Sequence, residues 1–392
     1  MNIAVTKKDC CGCHACAISC PKGCITMQRD AEGFWYPRVD EGACIKCGLC
    51  EKVCPVLNAV PADDSAQPEA FAAINPEEQV RLESSSGGVF SALANRVLEE
   101  DGVVFGAAWT EDFREVRHIG VESVAELAKL RGSKYVQSTL GASYLQVKKH
   151  LEEGRKVLFS GTPCQAEGLK TFLRKDYDNL LCVDIVCHGV PAPAVWQRYL
   201  EECEKTAGAP VQSVQFRSKD TGWQSSTVKL AFQNGHKQAK LISQDFFVNA
   251  FLRNACLRPS CHDCRFKKLN RVSDLTLADF WGIEDIYPEM DDNKGTSLVL
   301  AHSEKGRKAL SELGLNLRQV DVYAAVKQNI CAVRSSPVHP NRDVFLSALD
   351  SIPFAEAVKT YLPKKVSAKE RIAQVLQKLG IFEIVRKILG KK

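Results

Sequence analysis

Cys10-Cys11-Gly12-Cys13-His14-Ala15-Cys16-Ala17-Ile18-Ser19-Cys20-Pro21 decides the reading of this chain, because Cys44-Ile45-Lys46-Cys47-Gly48-Leu49-Cys50-Glu51-Lys52-Val53-Cys54-Pro55 repeats its Cys-x2-Cys-x2-Cys-x3-Cys-Pro spacing. That spacing wraps three thiolates around three corners of an iron-sulfur cubane and sends the fourth cysteine across to the other cluster. Cys10, Cys13, Cys16 and Cys54 are therefore expected to hold one 4Fe-4S cluster, and Cys44, Cys47, Cys50 and Cys20 a second. The alternatives are a zinc site, which normally pairs two Cys-x2-Cys hooks across a longer gap, and a disulfide framework, but a doubled run closed each time by proline has few explanations besides iron-sulfur. Such a chain moves single electrons.

Residues 1–57 read as a two-cluster ferredoxin domain, yet the chain has 392 residues, so further domains are attached. A polar, proline-bearing linker is expected at 58–70, a larger domain at 71–350 and a helical tail at 351–392. Hydrophobic residues at 45% and charged residues at 25% are ordinary for a soluble chain with a substantial core. A net charge of +5 is too mild to argue for nucleic acid. The segment Met1 to Asp9 lacks the apolar stretch of a secretion signal, and nothing approaches the roughly 18 apolar residues of a membrane span. With eight of 18 cysteines assigned to clusters that need a reducing compartment, a cytoplasmic location is expected.

Beyond the linker, Gly102 to Trp109, Lys156 to Ser160 and Leu180 to Val186 are short apolar runs, and Phe90, Leu93, Ala94, Val97 and Leu98 recur with helical periodicity. Alternating strands and helices predict a mostly parallel, covered sheet. Val211 to Phe216 and Thr227 to Phe232 alternate like antiparallel strands. The expected fold class is α+β or α/β: a small ferredoxin-like domain, then a mixed-sheet α/β domain and a C-terminal helix.

Ser84-Ser85-Ser86-Gly87-Gly88 precedes that periodic helix, where free amides and the helix dipole attract phosphate, or where the helix is simply capped. Arg131-Gly132-Ser133-Lys134-Tyr135 adds cations and hydroxyls that could complete an anion site. Gly161-Thr162-Pro163-Cys164-Gln165 follows a strand: Thr162 and Gln165 fit a capping box with Pro163 at the first helical position. Cys164 then sits in a first turn, where the dipole favours thiolate. Cys187-His188-Gly189 repeats this after the next strand, at the edge where open α/β sheets bind ligands.

Together with Cys261-x2-Cys264 and Leu277-Ala278-Asp279-Phe280, these motifs resemble the family of coenzyme F420 hydrogenase/dehydrogenase beta subunits, over about residues 70 to 345. The His188 segment, with Pro191 and Trp196, is most similar to bacterial members found beside polysaccharide-synthesis enzymes. The resemblance implies FAD, held by Ser85, Ser86, Gly87 and Gly88 and by Ser133, Lys134 and Tyr135, with Thr162 and Asp279 as further cofactor-side candidates. It also implies a third 4Fe-4S cluster on Cys164, Cys187, Cys261 and Cys264. The rival reading is a pair of structural thiols plus a zinc hook, with Cys256 as a competing fourth ligand. His188 is either a proton donor to substrate or flavin, or a structural histidine; Asp279 either bonds the cofactor or caps a turn.

Lys364 to Lys392 carries nine Lys/Arg and broad apolar coverage from Ile372 to Leu389. It reads either as a basic amphipathic helix lying on an anionic membrane face or as a helix docked on the body. The expected partners are ferredoxin or another redox protein and a small-molecule acceptor. The expected activity is an FAD and iron-sulfur oxidoreductase, with F420 chemistry or a non-catalytic electron-transfer role as alternatives.

Overall fold

The computed structural model describes residues 6–61, 65 and 67–363; the basic stretch at 364–392 lies outside them. Near the N-terminus β1 (Ile25–Arg29) and β2 (Trp35–Val39) form an antiparallel hairpin between the two cysteine runs. The body is built on β3 (Glu69–Ile74), β4 (Val103–Trp109), β5 (Val116–Val121), β6 (Ser138–Thr139), β7 (Val157–Gly161) and β8 (Leu180–Ile185). After β9 (Val211–Ser218), β10 (Thr227–Phe232) and β11 (Lys237–Leu241) come β12 (Leu275–Asp279), β13 (Ser297–Ala301) and β14 (Asn316–Val320). One nine-stranded sheet runs β14-β3-β13-β12-β8-β7-β4-β5-β6, and β11-β10-β9 make a separate antiparallel sheet. The alternation read from Val211 and Thr227 thus marks real antiparallel pairing.

The middle strands β4, β7, β8 and β12 are parallel neighbours. Their apolar runs follow from cover on both faces. Val157, Phe159, Leu180 and Cys182 pack on one side with Tyr144, Leu169 and Phe172, while Leu158 and Val183 pack on the other with Val89, Leu93 and Leu98. Cys182 is core, as its place in an apolar strand implies. The first side also receives Cys11, Cys13, Ala15, Val53 and Val56, so the cysteine-rich module shares a hydrophobic core with the body. Because β7, β8 and β12 point the same way, Gly161, Ile185 and Asp279 end at one sheet edge. Three loops open there.

Around the small sheet, Trp196, Tyr199, Phe216, Phe247, Phe345 and Phe354 form an aromatic core. The helix Phe354–Tyr361 is thereby fixed on the body, with the backbone N–H of Phe354 donating to the Glu202 carboxylate.

Candidate functional site: three cysteine constellations and a serine-glycine loop

The two runs fold alike. Gly12 and His14 in the first have φ of 70° and 63°, and the corresponding Lys46 and Gly48 in the second have 56° and 71°. These left-handed residues turn each loop twice, bringing cysteines three apart to one side. Cys10, Cys13, Cys16 and Cys54, the four expected for one cluster, line a single cavity. Of the second set, Cys20, Cys44 and Cys50 surround the Cys16, Cys24 and Ile25 cluster, and Cys47 faces solvent. Cys24, outside both sets, lies 3.3 Å from Cys20 between sulfurs. Among the described residues no three His, Cys, Asp or Glu side chains are gathered tightly enough for a single metal ion. A cubane, carrying four irons of its own, needs its thiolates spread around a void.

At the open sheet edge Cys164, Cys187, Cys261 and Cys264 converge on a larger cavity. Cys164 comes from the first turn after β7, with the expected capping box formed by Thr162 and Gln165 and Pro163 at the helix start. Cys187 comes from the loop after β8. Cys261 and Cys264 lie on a short turn, fixed where Ser335 Oγ accepts from Cys264 N at 2.8 Å. Two buried ion pairs brace that turn: Arg271 with Asp184 at 3.0 Å, and Lys268 with Glu167 at 3.6 Å. Val190 N points at the Cys261 sulfur from 3.5 Å.

Burial pushes the Cys261 thiol up to about 12 and Cys264 to about 11, and raises Cys187 as well. The dipole argument for Cys164 is outweighed: a hydrogen bond with Cys11, then burial, hold this thiol well above its ordinary value. Four clustered thiols held neutral by burial gain little by meeting; a cationic centre that draws off their protons gives the arrangement its use. The residues fit a thiolate-ligated cluster. Cys256, the rival ligand, is absent from the lining and fully buried in the aromatic core.

Three residues given no role by the sequence reading also face this cavity. Cys11 and Val56 line it together with the first-run cavity, so the two spaces adjoin. Cys331 lines it too, with its sulfur 3.5 Å from His188 Nδ1. His188 is half-buried beside Phe251, and burial lowers its basicity.

The serine-glycine loop lies on the other side of the sheet, where it enters the helix Val89–Glu99. Ser85 Oγ accepts from Ser133 N at 2.8 Å and from Ser133 Oγ at 2.9 Å, so the two predicted loops meet. Ser86 Oγ donates to Thr296 O, and Gly87 N donates to Ser297 Oγ. A Cβ at Gly87 would stand 2.3 Å from Ala73 O, and Gly88 has φ of 85°, so both glycines are required by the turn and by sheet contact. Lys134 Nζ donates to the carbonyls of Leu130, Arg131 and Gly132 at 3.1 to 3.2 Å. Its burial lowers the amine to about 7. Lys219, unremarked in the sequence, donates to the carbonyls of Arg81, Ser86 and Lys294 and ties the loop down. Asp279, at the end of β12, accepts from Trp223 Nε1 at 3.2 Å and pairs with Arg217 at 3.3 Å. Tyr135 lies beside Phe216, across from that pair.

Comparison with known proteins matches residues 9–58 to the 4Fe-4S dicluster domain. Residues 70–146 match the N-terminal part, and 154–319 the C-terminal part, of the coenzyme F420 hydrogenase/dehydrogenase beta subunit. A coenzyme F420-dependent sulfite reductase of Methanocaldococcus jannaschii is 30% identical over 173 residues, 43% of this chain and 26% of that protein. One of the subunits of the F(420)H(2) dehydrogenase of Methanosarcina mazei is 22% identical over 197 residues, 46% of this chain and 55% of that one. The chain thus spans about a quarter and about half the length of these relatives. A chain of the F420-reducing NiFe hydrogenase complex from Methanosarcina barkeri superposes with a TM-score of 0.45 at 15% identity, covering 77% of this chain and 94% of that one. With both halves of the family pattern in order behind a dicluster domain, the chain belongs to the family of coenzyme F420 hydrogenase/dehydrogenase beta subunits.

Proposed function

We propose that this chain is an iron-sulfur flavoprotein oxidoreductase that exchanges single electrons with a ferredoxin-type carrier and electron pairs, at FAD, with an organic acceptor of polysaccharide biosynthesis. The observation that carries the reading is the cavity where Cys164, Cys187, Cys261 and Cys264 converge, adjoining the first-run cavity at Cys11 and Val56. Bound clusters would supply one-electron carriage, and flavin the conversion between single electrons and pairs. Cys10, Cys13, Cys16 and Cys54 hold the inner ferredoxin site, and Cys20, Cys44, Cys47 and Cys50 the outer. Cys47 and its neighbour Ile45, 57% exposed, present that outer site to a protein partner.

For FAD the support is the junction of the Ser85 and Ser133 loops at a helix start, where amides and dipole suit a pyrophosphate. Ser86, Gly87, Gly88, Lys134, Tyr135 and Asp279 are assigned to the same cofactor, with Thr162 as a further candidate reaching it from the Cys164 helix start. His188, between the cavity-lining Cys187 and Gly189 and kept neutral by burial near neutral pH, is assigned as proton acceptor and donor. Redox chemistry on coenzyme F420 itself is the second reading, favoured by the family match. An electron relay without a substrate of its own is the third.

The test is Cys261→Ser with Cys264→Ser, purified without oxygen. About a third of the iron should be lost, as one of three cubanes, with the ferredoxin-type spectrum retained. Unchanged iron removes the third cluster from this reading. Mixing the wild-type protein with reduced F420 then separates the first two readings: bleaching of the chain's own chromophores selects the second.

A further inference from the structure

Arg258, three residues before Cys261, is 0% exposed. Its Nε donates to Cys10 O at 2.7 Å, Nη1 to Gln137 Oε1 at 2.9 Å and Nη2 to Trp35 O at 2.9 Å. Nη2 also lies 3.8 Å from the Cys10 sulfur. Gln137 in turn donates to Cys11 O at 3.0 Å. The guanidinium stands 4.3 Å from the Tyr36 ring centre and 5.1 Å from that of Phe34. It needs Gly12 beneath it, since a Cβ there would come within 2.8 Å of Nη1.

Every acceptor in this set is neutral: two carbonyls and an amide. A guanidinium cannot shed its proton, so a fully buried one whose hydrogen bonds reach no carboxylate is costly unless an anion stands nearby. Arg258 lines the larger cavity together with Cys164 and Cys261. On its other side it meets Cys10, which lines the first-run cavity. A cubane with four thiolate ligands is anionic, and one on each side supplies the missing charge.

We infer that Arg258 is the shared counter-charge of the Cys10/Cys13/Cys16/Cys54 site and the Cys164/Cys187/Cys261/Cys264 site, raising the reduction potential of both. The inference rests on the function proposed above. Gaining an electron makes each cluster more negative, so a fixed positive charge stabilises the reduced state, and the N–H directed at Cys10 sulfur acts in the same sense. As a positioning residue, Arg258 also locks the first run onto the body.

The experiment is a potentiometric titration of the full chain followed by electron paramagnetic resonance, for wild type, Arg258→Gln and Arg258→Lys, with iron counted in each. In Arg258→Gln the first-run cluster and the Cys164/Cys187/Cys261/Cys264 cluster should each show about a tenfold lower reduced-to-oxidised ratio at a given potential, about 59 mV for a one-electron couple. The second-run cluster should not move. Midpoints unchanged in Arg258→Gln with full iron would make Arg258 a mechanical clamp and overturn the inference. Should that variant shed iron, Arg258→Lys decides: retained charge keeps both ratios within about threefold of wild type, and a tenfold fall overturns it. A wild-type protein with only two cluster signals contradicts the proposed function instead, and the first-run midpoint alone then judges Arg258.

Discussion

Gly168 sits inside the helix Pro163–Leu173, where glycine costs about 1 kcal/mol relative to alanine. The reason is contact: a Cβ would lie 2.8 Å from the Tyr144 hydroxyl, 3.0 Å from Cys13 Cβ and 3.3 Å from its sulfur. Gly168→Val should therefore cost about 1–3 kcal/mol by overpacking and push the first run off its seat. The measurement is thermal unfolding with iron content; a variant as stable and iron-rich as wild type contradicts this placement of Cys13. The eight cysteines proposed as ferredoxin ligands stand out in the sequence because their spacing is local. Arg258 and Gly168 are not, because the residues that explain them, Cys10 and Cys13, lie more than 150 positions away. Cys164 shows the converse limit: its helix start was correctly readable, but the Cys11 contact that raises its thiol was not.

At the scale of elements, the apolar runs at β4, β7 and β8 announce themselves because central strands covered on both faces need no polar alternation. β3 escapes the sequence reading, since its neighbours β13 and β14 follow more than 220 residues later and only they explain a strand beginning at Glu69. The two loops proposed for FAD are joined by bonds to Ser85 Oγ. Ser85→Ala removes both, each worth about 0.5–1.5 kcal/mol, so flavin should bind about tenfold more weakly while iron is unchanged. Equilibrium dialysis with FAD measures it, and unaltered affinity argues that the loops serve only the fold. Gly88→Asp is the poorer test, because φ of 85° and the 3.0 Å approach to Asn75 strain the backbone whatever is bound.

At the scale of the molecule, two runs of identical spacing meet opposite surroundings. Cys13 and Cys54 are 7–8% exposed in the core shared with the body, whereas Cys47 lies open to solvent. Under the function proposed above, that asymmetry assigns the first run to the buried ferredoxin site and the second to the face toward a redox partner. An iron chelator should accordingly strip the second-run site first, and simultaneous loss of all iron contradicts the assignment. Among the described residues no helix is long and apolar enough to cross a membrane. On the membrane-surface reading of Lys364 to Lys392, the full chain should float with anionic vesicles at low salt and the chain without that stretch should not, with iron and flavin in place because every proposed ligand lies upstream; a full chain that ignores such vesicles leaves the docked-helix reading. The central claim is that twelve cysteines serve three four-iron sites beside a flavin, and its most direct measurement is iron, acid-labile sulfide and flavin per chain in anaerobically purified protein. About twelve irons, about twelve sulfides and about one FAD are predicted; about eight irons without flavin would leave only the ferredoxin module and contradict the account.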